Sequence, residues 1–292
     1  MEHQLWKAIV ALLVEHGKPK KPMETYSDMR ILEVYFWAVL HDRPVSWACD
    51  KSNWPIFLRR HPLPSSSRMS RRMRSESVLE LLETVEKRVA RSKETGQLVW
   101  YIDGKPLTIS GISKDRQAGY GRAAGGKAKG YKLHAVVGAD KSLADWKIAP
   151  MNVDERKMAR RMLKRASIQG YVVADANYDS NPLHEVCDDR NNLQLVAPRR
   201  YGKGKGHGHR KQTSGRLRSK EILENPQPDF GDALLKQRCE IERYFGNLSN
   251  WSGGLTHLPP WVRTHRRVEN WVRAKIITTH LRRQLKQTTY VN

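Results

Sequence analysis

The order of apolar segments after residue 97 is the feature that most restricts the fold. Short runs rich in Val, Ile, Leu and aromatic residues indicate strands, and longer segments with apolar residues three and four positions apart indicate helices. The predicted strands are residues 98–103, 132–139, 143–150, 171–175 and 193–198, and the predicted helices are residues 153–167, 182–190 and the segment around Glu242. This order predicts a mixed α/β fold in which a five-stranded mixed sheet carries helices on both faces.

Three acidic residues occupy positions that this order of elements would bring together. Asp103 and Asp175 each end a short apolar and aromatic run, and Glu242 lies on an amphipathic helix over residues 237–248. The order is that of the ribonuclease H-like fold, in which the first and fourth strands are neighbours. Asp103 and Asp175 would then meet at one edge of the sheet, and the last helix would bring Glu242 across to them. Three such carboxylates predict a site for hard divalent cations, Mg²⁺ or Mn²⁺.

Each carboxylate also has a simpler structural interpretation. Asp103 would belong to an Asp-Gly turn at the end of its strand. Asp175 would cap the helix that begins near residue 182, although Asp179 is better placed for that role. Glu242 would form an ion pair with a neighbouring arginine at the surface. The metal site is favoured by the combination of all three residues in one order of elements.

The large positive charge predicts a polyanionic partner. The chain holds 53 Lys and Arg against 30 Asp and Glu, a net charge of +23, and its isoelectric point is near 10.1. Nucleic acid is the first candidate, and an anionic membrane surface is the second. No run reaches the ~18 to 20 apolar residues that span a bilayer, and the 3 cysteines are too widely spaced to pair as zinc ligands. We therefore expect a soluble protein of the reducing cytoplasm, with no membrane partner.

Residues 1–95 are predicted to form a helical domain, with residues 92–96 as its boundary. Within it, residues 63–74 place serines, which can cap a helix, before four arginines in seven residues. This segment resembles the recognition helix of a helix-turn-helix unit, in which hydroxyl and guanidinium groups contact bases and phosphates. A solvated basic helix face is the alternative interpretation. The candidate DNA-binding residues are Ser66, Arg68, Arg71, Arg72 and Arg74.

Two further basic segments are predicted to be loops that become ordered on a phosphate backbone, which would make DNA binding steeply salt-dependent. Residues 104–130 are rich in glycine and lysine, and residues 199–220 mix arginine, lysine and glycine. The candidate DNA-binding residues in these segments and on the helix of Glu242 are Lys105, Lys127, Lys129, Arg199, Arg200, Arg238 and Arg243.

The segment around Glu242 resembles the DDE transposases of bacterial insertion sequences, specifically the group whose catalytic helix carries a Tyr-x2-Arg-x3-Glu-x6-Lys signature. Arg238-x3-Glu242 matches the central pair and favours Glu242 over Glu240 as the third carboxylate. Residues 171–178 look like the family's second-aspartate segment. Two positions depart from the signature, because Leu235 stands where the family has tyrosine and Ser249 where it has lysine.

This resemblance implies a two-metal-ion site in which Asp103 bridges two Mg²⁺ or Mn²⁺ ions, while Asp175 and Glu242 each hold one of them. It implies a DNA transposase that binds terminal inverted repeats, cleaves at the element ends and transfers 3′-hydroxyl ends to target DNA. Such an enzyme is expected to act as a homodimer on paired ends in the prokaryotic cytoplasm, associated with the nucleoid.

The predicted organisation has three parts. Residues 1–95 form the DNA-binding domain, residues 96–252 form the ribonuclease H-like catalytic domain with basic insertions, and residues 253–292 form a basic helical extension that covers the sheet or makes a dimer contact. Two alternative functions remain open at this point. One is a non-catalytic DNA-binding relic of a transposase, and the other is a repair or recombination nuclease on the same fold.

Overall fold

The structure, a computed structural model, describes residues 2–20, 22–91, 96–190, 192–199, 212–224, 230–250 and 254–291. The chain forms two compact units. The first, here called the helical unit, combines Met1–Arg91 with Asn247–Asn292, and the second, the sheet unit, is Ser92–Gly246. Of the predicted boundary, residues 92–95 lie outside the described residues.

The helices are numbered in chain order. They are α1 (Glu2–His16), α2 (Asp28–Leu40), α3 (Val45–Ala48), α4 (Ser66–Arg72), α5 (Glu76–Ala90), α6 (Glu155–Arg165), α7 (Asn181–Asp188), α8 (Ser214–Glu224), α9 (Phe230–Lys236), α10 (Cys239–Ser249) and α11 (His265–Val291). Short 3-10 turns lie at Lys51–Asn53, Ile56–Leu58 and Ala176–Tyr178. Among the described helices, none combines the length and the apolar character needed to cross a bilayer.

The helical unit is built from amphipathic helices whose apolar faces meet. Leu5, Ile9 and Leu13 recur at a spacing of four along α1 and are fully buried. The candidate recognition helix, α4, is capped as predicted, because the Ser65 hydroxyl accepts a hydrogen bond from the Arg68 N–H. Helices α1 to α5 agree with the predicted helical character of the N-terminal segment, and its DNA binding stays a prediction.

Helix α11 belongs to the helical unit, whereas the sequence predicted a separate extension over residues 253–292. It packs against α1, α2 and α5. The Arg273 Nε donates to Glu86 of α5 at 2.7 Å, and the buried Lys275 Nζ donates to the Val39 carbonyl of α2 at 3.1 Å. The last helix of the chain therefore completes the core that the N-terminal helices begin.

A mixed six-stranded sheet forms the centre of the sheet unit, as far as the chain is described. Its strands are β1 (Val99–Thr108), β2 (Gly119–Ala123), β3 (Gly126–Gly138), β4 (Leu143–Pro150), β5 (Gly170–Val173) and β6 (Leu193–Val196). The order is β2-β3-β1-β5-β6, and β4 also pairs with β3. β1 runs antiparallel to β3 and parallel to β5. The predicted contact between the first and fourth predicted strands is therefore confirmed.

The sheet has one strand more than the five that were predicted. The prediction of a loop over residues 104–130 was wrong for residues 104–108 and 119–130, while residues 109–118 do lie outside the strands. The start of this segment extends β1, and a later part forms a hairpin of β2 with β3 in which Ala123 pairs with Gly126. Gly125 and Gly126 have φ angles of 85° and 126°, which glycine adopts without a steric penalty. The glycines that suggested a loop instead form the tight turn of a hairpin.

One face of the sheet packs against α6 and α7. Trp100 and Ile102 of β1 share this buried core with Met162 of α6 and Leu183 of α7. Because side chains alternate along a strand, Asp103 points to the opposite face.

Candidate active site

The pairing of β1 with β5 brings Asp103 and Asp175 together. The last parallel pair in the register is Tyr101 with Val173, and each aspartate lies two residues further along its own segment. The pKa of Asp103 is raised to about 6, first by burial and then by the negative charges of Asp175 and Glu155. The two aspartates are therefore close enough to repel each other electrostatically.

The local structure around each aspartate differs from the simpler interpretations. Asp103 is not in a turn or at a strand tip, because β1 continues to Thr108 and Asp103 pairs with Ala135 of β3. Asp175 caps the 3-10 turn rather than α7, since its Oδ1 accepts a hydrogen bond from the Asn177 N–H at 2.8 Å. α7 instead has Ser180 at its N-cap position.

Asp179, the other cap candidate, belongs to a buried ion pair. The Arg216 guanidinium of α8 donates to both Asp179 oxygens, at 2.8 Å from Nε and 2.7 Å from Nη2. His184 of α7 lies 3.3 Å from the same carboxylate. This cluster connects α8 to Asp179, four residues after Asp175, and so helps to fix the segment that follows that aspartate.

Glu242 lies on the exposed side of α10 and does not join the two aspartates in this conformation. Its side chain is 57% exposed and its Oε1 lies 2.9 Å from Arg238 Nη2. The positive charge of Arg238 also lowers the pKa of Asp103, against the larger effect of burial. Arg238 therefore interacts electrostatically with both Glu242 and Asp103.

Glu240, the rival of Glu242, has different partners. It forms ion pairs with Lys141, which follows β3, and with Arg243 one turn along α10. Its side chain is only 20% exposed. These two ion pairs connect Glu240 to Lys141 and Arg243. Glu242 differs from Glu240 because its partner, Arg238, also acts electrostatically on Asp103.

The chemistry of the two aspartates fits a divalent cation. Asp103 and Asp175 supply hard oxygen donors that are partly withdrawn from water and that repel each other, and a cation would relieve that repulsion. Within the described ranges, no group of three or more His, Cys, Asp and Glu side chains is assembled for metal binding. Two of the three predicted ligands are thus brought together, and the third, Glu242, is paired with Arg238 on the exposed side of α10.

A polar network beside the aspartates was not identified from the sequence. Glu155, the first residue of α6, accepts a hydrogen bond from Asn177 Nδ2 at 3.1 Å and forms an ion pair with Lys132 of β3. Because Asn177 also binds Asp175 through its backbone, Glu155 acts on the position of that aspartate. The sequence signal for this network was present in the alternation of β3, which places Lys132 and His134 on one face.

Two buried polar groups near this network lack hydrogen-bond partners among the described atoms. Both ring nitrogens of His134 and the hydroxyl of Tyr178 are unpaired, and each residue is 1% exposed. Burial lowers the pKa of His134 to about 4, so its imidazole is neutral at pH 7. Burial raises the pKa of Tyr178, and Asp103, Glu155 and Asp175 raise it further. His134 therefore lies near Glu155 and Lys132, and Tyr178 lies near the carboxylates of Asp103, Glu155 and Asp175.

The arginines of α4 divide into two kinds. Arg72 is held by two carboxylates, with Glu24 at 2.8 Å and Asp28 at 2.5 Å, so it stabilises the unit internally. The remaining candidates in this segment are exposed. They are Ser66, Arg68, Arg71 and Arg74, of which Arg68 donates to the Thr25 hydroxyl at 3.0 Å and Arg74 to the Ser70 carbonyl at 2.9 Å.

The candidate lysines of residues 104–130 lie on strands rather than on a loop. Lys105 is half-buried in β1, and burial lowers its pKa. Lys127 is exposed on β3, with its Nζ 5.8 Å from the centre of the Tyr120 ring. Lys129 Nζ donates to the Ser113 carbonyl at 3.0 Å. Of the three, Lys127 presents the most accessible charge.

The remaining basic candidates have different environments. Arg199 forms an exposed ion pair with Glu224 at 2.6 Å, and Arg243 is exposed beside Glu240. Arg200 and residues 201–211 lie outside the described residues. The prediction of a loop over residues 199–220 was wrong for residues 214–220, which form the start of α8.

Comparison with known families identifies the chain. The sheet order, the paired aspartates and the basic charge are those expected of an enzyme that acts on the nucleic acid backbone. A family model described as the transposase DDE domain matches residues 94–278, which is more than half of the chain. The protein belongs to this family, the DDE transposases of insertion elements. A search of curated proteins found no match.

Family membership agrees with the structure at the level of fold and general chemistry. The family implies a ribonuclease H-like fold, a DNA substrate and polynucleotidyl transfer, and its members generally use divalent metal ions. Without β2, the observed sheet order is β4-β3-β1-β5-β6, which keeps the first and fourth predicted strands at its centre.

Proposed function

We propose that this protein binds the terminal inverted repeats of its own insertion element, cleaves phosphodiester bonds at the element ends and joins the freed 3′-hydroxyls to target DNA. The observation that carries the proposal is the convergence of Asp103 and Asp175 on neighbouring parallel segments inside a matched transposase DDE domain. A homodimer on paired ends, in the cytoplasm of a prokaryote and associated with the nucleoid, is the expected working form.

In this proposal Asp103, Asp175 and Glu242 hold two Mg²⁺ or Mn²⁺ ions. Bound ions of this kind activate the attacking oxygen and stabilise the departing one during an in-line displacement. The protein contributes rigidity at Asp103, which is fixed within β1, and at Asp175, which is fixed by Asn177.

Arg238 links substrate binding to the third ligand. Its guanidinium pairs with Glu242 at 2.9 Å, and guanidinium groups also bind phosphate strongly. When a DNA phosphate takes the Arg238 guanidinium, Glu242 is released and can turn towards the aspartates. We therefore expect DNA binding to favour the complete ligand set.

The decisive test is cleavage of DNA that carries the element ends, in the presence of Mg²⁺. Single Asp103→Asn, Asp175→Asn and Glu242→Gln substitutions are expected to abolish cleavage while DNA binding is retained. Glu240→Gln is the matched control, because Glu240 lies two residues from Glu242 and faces other partners. This control is expected to cleave. Cleavage by all three site variants would reject the site, and cleavage by Glu242→Gln but not by Glu240→Gln would exchange the two glutamates.

A further inference from the structure

A cleft in the helical unit joins residues that are far apart in sequence. Its volume is about 480 Å³, and it lies between α2, α4 and the start of α11. The inner surface is apolar, with Met69 and Met73 of α4, Val262 and Trp271 among its lining residues. All four of these side chains are buried. The cleft is therefore part of the folded core of this unit and not an irregularity of a loop.

The rim of the cleft is cationic. Ser66 and Ser70 lie one turn apart on one face of α4, Arg74 lies two residues after the end of this helix, and Arg266 and Arg267 come from the first turn of α11. Arg267 Nη2 lies 3.4 Å from the Ser70 hydroxyl, which joins the two sides of the rim. The hydroxyls and guanidinium groups thus form one continuous donor surface from two helices.

The rim arginines differ from other arginines on the same helices. Arg72 of α4 and Arg273 of α11 are each held by carboxylates of this unit. Arg74, Arg266 and Arg267 are exposed, and none of them forms an ion pair with a carboxylate in the described part of the chain. Their charge is therefore available to an anionic partner.

We propose that this cleft binds a sugar–phosphate strand of duplex DNA, so that the DNA-binding surface of the helical unit is composite and includes α11 as well as α4. Phosphates pair with the rim arginines and serines, and the sugar edge of the strand lies against Trp261, the exposed aromatic residue of the lining. This inference rests on the proposed function only in taking DNA as the partner, and it adds Arg266 and Arg267 of α11 to the candidates Ser66 and Arg74 that the sequence predicts.

The test is the salt dependence of binding to a labelled duplex that carries the terminal repeat, measured by fluorescence anisotropy in EDTA so that cleavage plays no part. Each phosphate contact contributes about 0.9 to the slope of log K against log salt. The double variant Arg266→Ala with Arg267→Ala is expected to lower this slope by about 2 and to weaken binding at least tenfold. Arg266→Lys with Arg267→Lys, which keeps both charges, is expected to recover most of the slope.

The matched control removes two charges from the other end of α11, with Arg283→Ala and Lys286→Ala. Arg283 lies about 25 Å from Arg266 at ~1.5 Å per helical residue, and neither control residue lines the cleft. The control is expected to bind as the parent protein does. Equal losses in the two double variants, or no loss in Arg266→Ala with Arg267→Ala, would overturn the inference while leaving the proposed function intact. Failure of the parent protein to bind the duplex would overturn both.

Discussion

At the scale of single residues, the burial of the Asp103 carboxylate lowers the stability of the folded state, as is typical of functional sites. Burial and the neighbouring charges of Asp175 and Glu155 raise its pKa to about 6, from about 3.9 in an unfolded chain. The folded state therefore binds more protons than the unfolded state between these two values. Stability falls as the pH rises through this window, and the charged carboxylate destabilises the fold by about 3 kcal/mol at pH 7.

Asp103→Asn is expected to raise the free energy of unfolding at pH 7.5 by up to about 3 kcal/mol, because it removes the buried charge. At pH 4 the same substitution should change the stability little, since Asp103 is then largely protonated in the folded state. Denaturant unfolding in EDTA at the two pH values measures this difference. Added Mg²⁺ should stabilise the parent protein and not the variant, and an equal effect of the substitution at both pH values would contradict the assignment.

Glu155 is the residue through which the site is supported from α6. Glu155→Ala is expected to cost about 2 kcal/mol of stability, because Lys132, 12% exposed, loses the carboxylate that pairs with it. Glu83→Ala is the control, since the Glu83–Lys87 pair lies half-exposed on α5 and should cost under about 0.5 kcal/mol. Thermal unfolding of both variants provides the comparison. Similar losses in the two proteins would show that the Glu155 pair is not a structural support.

At the scale of elements, the hairpin of β2 with β3 is defined by its turn. A Cβ atom at Gly125 would meet no heavy atom within 4 Å, so its positive φ is the only constraint there. Gly246 of α10 is equally free of neighbours and has no positive φ. Substitution of these two glycines by alanine therefore tests the effect of backbone conformation at sites where the added Cβ atom meets no neighbouring atom.

Gly125→Ala is expected to destabilise the sheet unit by about 1 kcal/mol, since alanine is strained at positive φ. Gly246→Ala is expected to stabilise the protein by roughly 0.5 to 1 kcal/mol, because alanine favours the helix. Chemical denaturation of the two variants measures both changes. A stabilising effect of Gly125→Ala would show that the turn differs from the one described.

Some elements agree with the predictions made from the sequence and others do not. The helix of Glu242, the order of the five predicted strands and the serine cap of α4 follow from local patterns of apolar and hydroxyl residues. β2 was missed because its alternating glycines carry no apolar pattern, although the backbone pairs with β3 in register. The extension of β1 beyond Asp103 was missed because Asp-Gly is common in turns, whereas pairing with β3 on one side favours the strand.

At the scale of the whole molecule, the helical unit is discontinuous in sequence. Val268, Trp271, Val272 and Ile276 of α11 are buried in the core that the N-terminal helices begin. The free energy of this core is therefore shared between the first and last segments of the chain.

The fragment of residues 1–91 is expected not to fold alone, because its helices would expose the apolar surface that α11 covers. Addition of a peptide of residues 254–291 should restore helicity and a cooperative transition. Circular dichroism of the fragment with and without the peptide measures this, and a peptide with Trp271→Ser is the control. Cooperative unfolding of residues 1–91 alone, at the temperature of the complete chain, would contradict a shared core.

The sequence by itself determined the alternation of strands and helices, the basic charge and the identity of the candidate carboxylates, because these depend on local periodicity and side-chain chemistry. Only the tertiary structure decided which charges are neutralised within the protein. Arg72 and Glu240 are held by partners distant in the chain or in another element, whereas Arg266 and Glu242 lie at exposed positions. The physical reason is that an ion pair between distant segments depends on the tertiary contacts that bring those segments together, and local sequence patterns do not determine these contacts.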